Sequence, residues 1–358
     1  MDQNRLASPL AAVRHQQGRL IGRMEALGFP LQQEAALQAL TEETVKTSEI
    51  EGEKLEAAQV RSSIARRLGM DVGGVHIVDR RVEGVVEVML DASRNYEQPL
   101  TVERVFGWHG SLFPAGRTTG MRKLRVGAWR DDSTGPMQIV SGPVGRERVH
   151  FEGPAAERLD GEMSAFLRWF NEGTAPTAGD EVLKAGLAHL WFVTIHPFDD
   201  GNGRTARAIA DLALARSERS AQRFYSMSAE ICRQRNAYYE ILERTQKGTM
   251  DVTPWMEWFL SCLGRAIDRA QTTVAGVLHK ARFWQAAGDV PVNERQRLVL
   301  NRMLDGLEGN LTTSKWARIA KCSSDTALRD ILGLVERGVL VRNPGAGRST
   351  SYSLAEIR

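Results

Sequence analysis

The chain has 358 residues and a formal net charge of +3, with 42% hydrophobic and 25% charged residues. No compositional class is extreme, so we expect a globular protein with room for two or three domains. The cysteines Cys232, Cys262 and Cys322 are scattered and form no Cys-x-x-Cys pair, which argues against a disulfide framework and a zinc site. The scattered cysteines favour a reducing cytoplasm, the first ten residues have no apolar core, and no later segment has the long uncharged apolar run of a membrane span. We therefore expect a cytoplasmic protein without a membrane partner.

The first segment that bears on function lies near the N-terminus and reads Thr47-Ser48-Glu49-Ile50-Glu51-Gly52. Apolar residues at helical spacing dominate most of the chain, which predicts a mainly α fold. In a helix, Thr47 and Glu51 are four residues apart and share one face. Taken alone, the segment would be interpreted as a helix end with Glu51 as a solvated charge.

Between residues 137 and 151 the pattern changes from helical spacing to short β-like runs. The runs at residues 137–140 and 148–151 flank the turn-rich sequence Ser141-Gly142-Pro143-Val144-Gly145. This order predicts a β-hairpin. Without further context, it would be an ordinary surface hairpin.

Residues 196–207 form the densest group of chemically active side chains, His-Pro-Phe-Asp-Asp-Gly-Asn-Gly-Arg-Thr-Ala-Arg, between two runs of helical spacing. Gly201 and Gly203 allow successive backbone N–H groups to converge at a helix N-terminus, where an anion is favoured. Arg204 and Arg207 are three residues apart, so their guanidinium groups project to one side and can clamp phosphate oxygens. This segment predicts a catalytic loop that handles a polyphosphate.

After Pro291 the pattern is typical of a small separate domain. Helical runs at residues 294–304, 312–320 and 324–337 precede strand-like runs at 339–342 and 350–354. The order predicts a winged helix-turn-helix domain at residues 293–358. Its basic residues, which are placed to contact a DNA backbone, are Arg329, Arg337, Arg342 and Arg348. The alternative is a protein-interaction or dimerisation module, because so few basic residues make a thin electrostatic footprint.

The loop at residues 196–207 resembles the signature of the Fic (filamentation induced by cAMP) family, His-x-Phe-x-Asp/Glu-Gly-Asn-Gly-Arg-x-x-Arg, at every specified position. Eight fixed identities recur by chance with a probability of about 10⁻¹⁰ per starting position. The resemblance implies an N-terminal helical region at residues 1–95 and a mainly α catalytic core at residues 96–285. It also makes the hairpin at residues 137–151 a flap over the active site. Most studied members of the family transfer AMP.

The resemblance assigns roles within the loop. His196 is the general base, since an imidazole has its unperturbed pKa near neutral pH. Asp200 holds Mg²⁺, a cation that takes few protein carboxylates and is completed by phosphates and water. The expected ATP-binding positions of the loop are Gly201, Asn202, Gly203, Arg204 and Arg207. The residue at position 203 also bears on the reaction, because family members that act as kinases carry lysine there, and glycine favours AMP transfer.

Two further sets of nucleotide contacts follow from the resemblance. The inner edge of the flap contacts the nucleotide mainly through its backbone and consists of Gln138, Ile139, Val140 and Ser141. Gln246, together with residues 235–239, lies on the adenine side. ATP is expected well ahead of CDP-choline, which some members of the family use.

The segment at residues 47–52 resembles the inhibitory-helix pattern of the family, Ser/Thr-x-x-x-Glu-Gly/Asn, at Thr47, Glu51 and Gly52. The resemblance implies that Glu51 pairs with Arg207 and occupies the guanidinium that the γ-phosphate needs, which inhibits the chain in cis. In some relatives the same glutamate orients water for the removal of AMP, so the reverse reaction is also open to this chain.

The sequence therefore predicts an autoinhibited protein adenylyltransferase that uses ATP and Mg²⁺. Its substrate would be a Ser, Thr or Tyr hydroxyl of a partner protein or of the chain itself. The alternative is a DNA-binding, nucleotide-responsive regulator that acts through residues 293–358. A homodimer is a further expectation, since dimerisation is common in such proteins, although the sequence identifies no interface.

Overall fold

The fold is that of a computed structural model, which describes residues 1–70, 79–118, 122–133, 135–143, 146, 148–172, 180–288, 290–304, 306–307, 309–344 and 350–355, without the side chains at positions 273 and 277. Within these ranges the chain forms two compact units, residues 1–270 and 271–358. Helices dominate both units, so the predicted mainly α fold is confirmed. The first unit contains the predicted N-terminal helical region and most of the predicted catalytic core, and the boundary between residues 95 and 96 stays a prediction.

The N-terminal part of the first unit is helical. Its helices are α1 (Gln3–Glu25), α2 (Phe29–Ile50), α3 (Ala57–Arg67), α4 (Arg80–Arg94) and α5 (Val102–Leu112). The chain leaves α2 at Gly52, whose φ of 82° lies in the left-handed region that glycine adopts without strain. The residues flanking this glycine are Glu51 and Glu53, and Thr47 lies one turn earlier in α2.

The centre of the first unit is formed by α7 (Glu181–Ile195) and α8 (Asn202–Glu218), which pack against each other. Side chains are buried on nearly every face of both helices, as expected of helices inside a protein. The surrounding helices are α6 (Leu159–Asn171), α9 (Met227–Arg233), α10 (Arg235–Lys247) and the part of α11 (Thr253–Ala287) up to residue 270, with a 3₁₀ turn at Ala156–Arg158. Residues 196–201 join α7 to α8, so the predicted catalytic loop begins and ends on buried helices.

The predicted hairpin is present as two antiparallel strands, β1 (Gln138–Ser141) and β2 (Arg148–Glu152). Gln138 lies opposite Glu152 and Ser141 lies opposite Arg148, with a bulge between Ile139 and Val140 that shifts the register. The backbone N–H of Gly153 donates to Met137 at 2.9 Å, which extends the pairing beyond the strands. Residues 144, 145 and 147 of the hairpin lie outside the described residues.

The second unit contains α12 (Glu294–Leu304), α13 (Thr313–Ala320), α14 (Ser324–Glu336) and the antiparallel pair β3 (Leu340–Arg342) and β4 (Tyr352–Leu354). Its core surrounds the fully buried Trp316. The order of elements is the predicted one, while the winged-helix assignment stays a prediction. The turn at residues 345–349, with Arg348, lies outside the described residues. No helix in the described part of the chain is long and apolar enough to cross a bilayer.

Candidate active site

His196 ends α7 in a backbone conformation that few residues other than glycine adopt. Its φ is 51°, and its N–H still donates to Phe192 at 3.0 Å as the last bond of the helix. Arg130 fixes the carbonyl of His196 and that of the next residue, Pro197. Its Nε donates to the carbonyl of His196 at 2.8 Å, and its backbone N–H donates to the carbonyl of Pro197 at 2.9 Å. The side chain of Arg130 is buried and its Nη1 pairs with Asp132 at 2.9 Å, so the strained turn is held by a fixed group.

The rest of the loop is closed by the side chain of Asn202. Its Oδ1 accepts the N–H of Phe198 at 2.9 Å, and its Nδ2 donates to the carbonyl of the same residue at 2.7 Å. Phe198 is fully buried, and its ring stacks on His109 with centroids 4.0 Å apart. Both polar atoms of the Asn202 amide are therefore used to shape the loop.

The ring of His109 also holds the catalytic loop in place through hydrogen bonds to the backbone. Nδ1 of its ring accepts the N–H of Gly127 at 3.3 Å, so Nε2 carries the proton and donates to the carbonyl of Asp200 at 3.2 Å. Burial lowers the pKa of His109 to about 4, opposed by its bond to Asp200. The neutral imidazole thus makes both hydrogen bonds at neutral pH.

The imidazole of His196 is arranged to accept a proton. Its Nδ1 donates to the carbonyl of Val193 at 3.2 Å, which leaves the lone pair on Nε2. Burial lowers the pKa of His196 to about 4; the bond to Val193 and the charge of Glu51 act against this shift, and the charge of Arg130 adds to it. The group is therefore neutral at pH 7, the state that a general base requires.

Arg204 and Arg207 lie in the first turns of α8 and are both buried. Nη2 of Arg207 donates to Oε1 of Glu51 at 2.7 Å and to the carbonyl of Thr47 at 3.0 Å, while its Nε donates to the hydroxyl of Thr47 at 2.7 Å. Nη1 of Arg204 donates to Glu53 at 2.9 Å. The predicted partners Thr47, Glu51 and Arg207 are thus in direct contact, and Glu53 forms a second pair that sequence reasoning missed.

The carboxylate of Glu51 also lies directly over Gly203. A Cβ at position 203 would stand 2.2 Å from Oε1 of Glu51 and 3.2 Å from Nη1 of Arg207. Only glycine therefore admits Glu51 in this position. Burial by itself would raise the pKa of Glu51, but the charge and hydrogen bond of Arg207, together with Arg204 and Arg235, lower it overall.

Asp200 and Gly201 lie at the start of α8. Oδ1 of Asp200 accepts the N–H of Gly201 at 2.6 Å, so this carboxylate occupies the N–H that was predicted to bind phosphate. The described residues hold no group of three or more His, Cys, Asp or Glu side chains suited to a metal. A single carboxylate fits a Mg²⁺ ion that phosphates and water coordinate for the most part. The metal role of Asp200 stays a prediction.

The flap is anchored to α10. His150 donates from Nδ1 to Glu243 at 2.6 Å, and Nε2 of its ring is 2.6 Å from the hydroxyl of Ser141. Hydrogen bonds from Lys247 and then His150 lower the pKa of Glu243 to about 2. Gly153, directly after β2, lies beside the catalytic loop, where an added Cβ would be 3.7 Å from the Cβ of His196. The flap is therefore fixed at its base against His196 and along its length against α10.

The predicted adenine-side residues are divided between core and surface. Tyr238 is buried and bonds to His189 at 2.9 Å, whereas Tyr239 is exposed beside Arg235. Gln246 donates to Thr194 at 3.2 Å, two residues before His196. Gln246 also lines an apolar cavity of about 460 Å³ with Trp169, Leu187 and Trp191. Whether Gln246 or the flap residues Gln138, Ile139, Val140 and Ser141 contact a nucleotide stays a prediction.

The sequence pattern did not reveal Arg130, His109 or Glu53. The first two lie far upstream of the loop in the chain, and their contacts with it are mostly to backbone carbonyls, which leave no sequence motif. Glu53 lies two residues after Glu51, and only the turn at Gly52 brings it to Arg204.

Comparison with known proteins finds two matching regions. Residues 99–214 match the Fic/DOC family, and residues 1–70 match a domain of unknown function, DUF4172. A protein adenylyltransferase Fic of Nematostella vectensis is 34% identical over 131 residues, which are 36% of this chain and 28% of that protein. The corresponding protein of Drosophila yakuba is 33% identical over 133 residues, which are 36% of this chain and 25% of that protein. The matched segment thus spans about a quarter of the length of these curated relatives.

Solved structures show the same fold at low sequence identity. A Fic family protein from Desulfovibrio desulfuricans G20 superposes with a TM-score of 0.56 at 20% identity, over 99% of this chain and 97% of that one. A Fic domain containing signaling protein from Bacteroides thetaiotaomicron VPI-5482 gives a TM-score of 0.53 at 19% identity, over 74% of this chain and 98% of that one.

Proposed function

Because this chain carries a Fic domain, matched over residues 99–214, we propose that it is a protein adenylyltransferase that transfers AMP from ATP to a Ser, Thr or Tyr hydroxyl of a protein. The observation that carries the proposal is the arrangement at the α7–α8 junction. There, a neutral imidazole whose Nε2 carries the lone pair lies in the loop that leads to the buried arginines at the start of α8. This combination supplies a base and an anion site within one loop.

In the proposed reaction the hydroxyl oxygen of the target attacks the α-phosphorus of ATP and gives its proton to Nε2 of His196. A new O–P bond forms as the bond from the α-phosphorus to the bridging oxygen breaks, and pyrophosphate leaves. Backbone N–H groups at the start of α8 and the guanidinium groups of Arg204 and Arg207 bind the phosphates and stabilise their charge. Mg²⁺, held by Asp200 and the phosphates, would supply charge neutralisation for the leaving group.

We further propose that the chain is inhibited in cis by Glu51. Its ion pair with Arg207 occupies an N–H that an outer phosphate of ATP would use, and its carboxylate lies over Gly203, beside the same arginine. The lowered pKa of Glu51 keeps the carboxylate charged at neutral pH. ATP would therefore have to displace a paired anion before its phosphates adopt the productive position.

The experiment is intact-protein mass spectrometry after incubation with ATP and Mg²⁺. We expect Glu51→Gly to gain the mass of one or more AMP groups faster than the unchanged protein, and His196→Ala to abolish the gain in both backgrounds. Glu49→Gly makes the same change two residues earlier in α2 and controls for loosening of the helix end. Equal labelling of the unchanged protein and Glu51→Gly would refute the inhibition, and labelling that persists without His196 would refute the catalytic assignment.

A further inference from the structure

The two arginines at the start of α8 are matched by two carboxylates from a single turn. Glu51 pairs with Arg207 at 2.7 Å and Glu53 pairs with Arg204 at 2.9 Å. The arginine side chains are only 2% and 4% exposed, and that of Glu53 is 19% exposed. Solvent screens the charges of such buried ion pairs only weakly, so both pairs contribute to the electrostatics of the site.

The turn itself explains how both carboxylates reach the arginines. The N–H of Gly52 donates to the carbonyl of Glu49 and the N–H of Glu53 donates to the carbonyl of Ser48, each at 3.0 Å. These two bonds, with a left-handed glycine between them, form a Schellman motif. The motif reverses the chain at Gly52, so Glu53 is directed back to α8.

Each arginine keeps a donor that the carboxylates do not satisfy. Within the described residues, the buried Nε of Arg204 and the buried Nη1 of Arg207 have no hydrogen-bond partner. Buried polar groups without partners are rare and costly, and they point to a ligand. The two carboxylates of the turn therefore satisfy only some of the hydrogen-bond donors of Arg204 and Arg207.

We propose that Glu53 is a second inhibitory residue, which competes with a phosphate group of the nucleotide for Arg204, as Glu51 does for Arg207. The segment at residues 51–53 then acts as an internal substitute for a polyphosphate. This inference rests on the proposed function, since it names ATP as the ligand that is excluded. Glu53 controls how tightly the phosphates bind, whereas Glu51, over Gly203, controls whether they bind productively.

The test is calorimetric measurement of ATP binding by Glu53→Gln and by the unchanged protein. Glutamine keeps the size of the side chain and removes its charge, so we expect ATP to bind about tenfold tighter to Glu53→Gln. Adenosine, which has no phosphate, should bind equally to both proteins. Glu56→Gln, an exposed carboxylate three residues later, is the matched control and should leave ATP binding unchanged. In the Glu51→Gly background, Glu53→Gln should lower KM for ATP without raising kcat.

The outcomes separate this inference from the proposed function. Tighter ATP binding by Glu53→Gln without AMP transfer by any variant would support the role of Glu53 and refute the adenylyltransferase activity. AMP transfer by Glu51→Gly, with ATP affinity and KM unaffected by Glu53→Gln, would refute the role of Glu53 alone. An equal gain for Glu56→Gln, or for adenosine, would also refute it, because the effect would then not depend on the Arg204 pair.

Discussion

His196 combines a strained backbone with a side chain that burial keeps neutral. A positive φ at a residue other than glycine costs free energy, and it persists only where neighbours fix it. Arg130 is the neighbour that does so, because its guanidinium donates to the carbonyl of His196 and its backbone N–H donates to the carbonyl of Pro197. The same positive charge helps to lower the pKa of His196. Arg130 is therefore a positioning residue that acts on both the geometry and the basicity of the proposed base.

Replacing Arg130 should separate these two effects. In the Glu51→Gly background, both Arg130→Lys and Arg130→Gln should slow AMP transfer by about ten- to a hundredfold, since the base loses its fixed position. Only Arg130→Gln removes the positive charge, so only this variant should raise the pKa of His196 and move the acid limb of the pH–rate profile upward.

The measurement is the rate of labelling with ATP between pH 3.5 and pH 8, a range that includes the pKa of His196 near 4, with folding checked by circular dichroism at each pH. Identical acid limbs for the lysine and glutamine variants would contradict the electrostatic part of this role. Unchanged rates in both would contradict the positioning part.

The C-terminal end of α2 carries negative charges, which are usually unfavourable at that end of a helix. Carboxylates are unfavourable near the negative end of the helix dipole, yet Glu49 and Glu51 are at that end. The arginines of α8 supply the compensating charge to Glu51, and Gly52 supplies the left-handed turn. An unfavourable local charge that a specific partner compensates is typical of a functional segment.

The turn at Gly52 has a matched counterpart after α3. Gly69 has a φ of 71°, and bonds from Gly69 and Met70 to Arg66 and Ala65 form the same motif. A Cβ at either glycine would meet nothing within 4 Å, so alanine costs only backbone strain, about 1 kcal/mol at each. We expect both variants to lose similar stability in urea, whereas only Gly52→Ala raises self-labelling with ATP, by about fivefold. Equal labelling of the two variants would mean that the turn does not hold the inhibitory carboxylates.

The third helix of the second unit, α14, bears on the DNA-binding alternative, which stays a prediction. Its exposed face includes Leu328 and Leu332, one turn apart. Arg337, one of the residues predicted to contact DNA, donates to the carbonyls of Pro291 and Gly333.

At the scale of the whole molecule, the stability of the fold depends on imidazoles that are neutral inside the protein. Burial lowers the pKa of His189 to about 3, and its Nε2 is 2.9 Å from the hydroxyl of Tyr238. In the unfolded chain the same group takes up a proton near pH 6.5. Below that pH the unfolded state binds more protons than the folded state, so acid weakens the fold.

His189→Gln should remove this contribution. Between pH 7 and pH 5 the unchanged protein loses about 2 kcal/mol of unfolding free energy through His189, while glutamine does not titrate. The variant is less stable at pH 7, because the buried contact with Tyr238 is altered, and the difference should shrink by about this amount at pH 5. Urea unfolding at both pH values checks it. A difference that is constant with pH would show that His189 is not neutral in the folded protein.

The sequence by itself determined those features that depend on short-range chemistry. The spacing of apolar residues predicted the helices. The positions of glycine and proline predicted the hairpin and the loop between α7 and α8. The loop signature and the pattern at Thr47, Glu51 and Gly52 were readable because their residues are consecutive or one helical turn apart. The pairing of Glu51 with Arg207 was predicted through the family resemblance rather than from spacing.

Only the tertiary structure decided which distant groups act on these segments. Arg130 and His109 hold the loop through backbone carbonyls, and carbonyls are common to all residues, so no sequence pattern marks them. Glu53 reaches Arg204 because one left-handed glycine reverses the chain and because α2 packs beside α8. Burial, which lowers the pKa of His196 and keeps it neutral, is likewise a property of the packed molecule, since it depends on every element that excludes water from the ring.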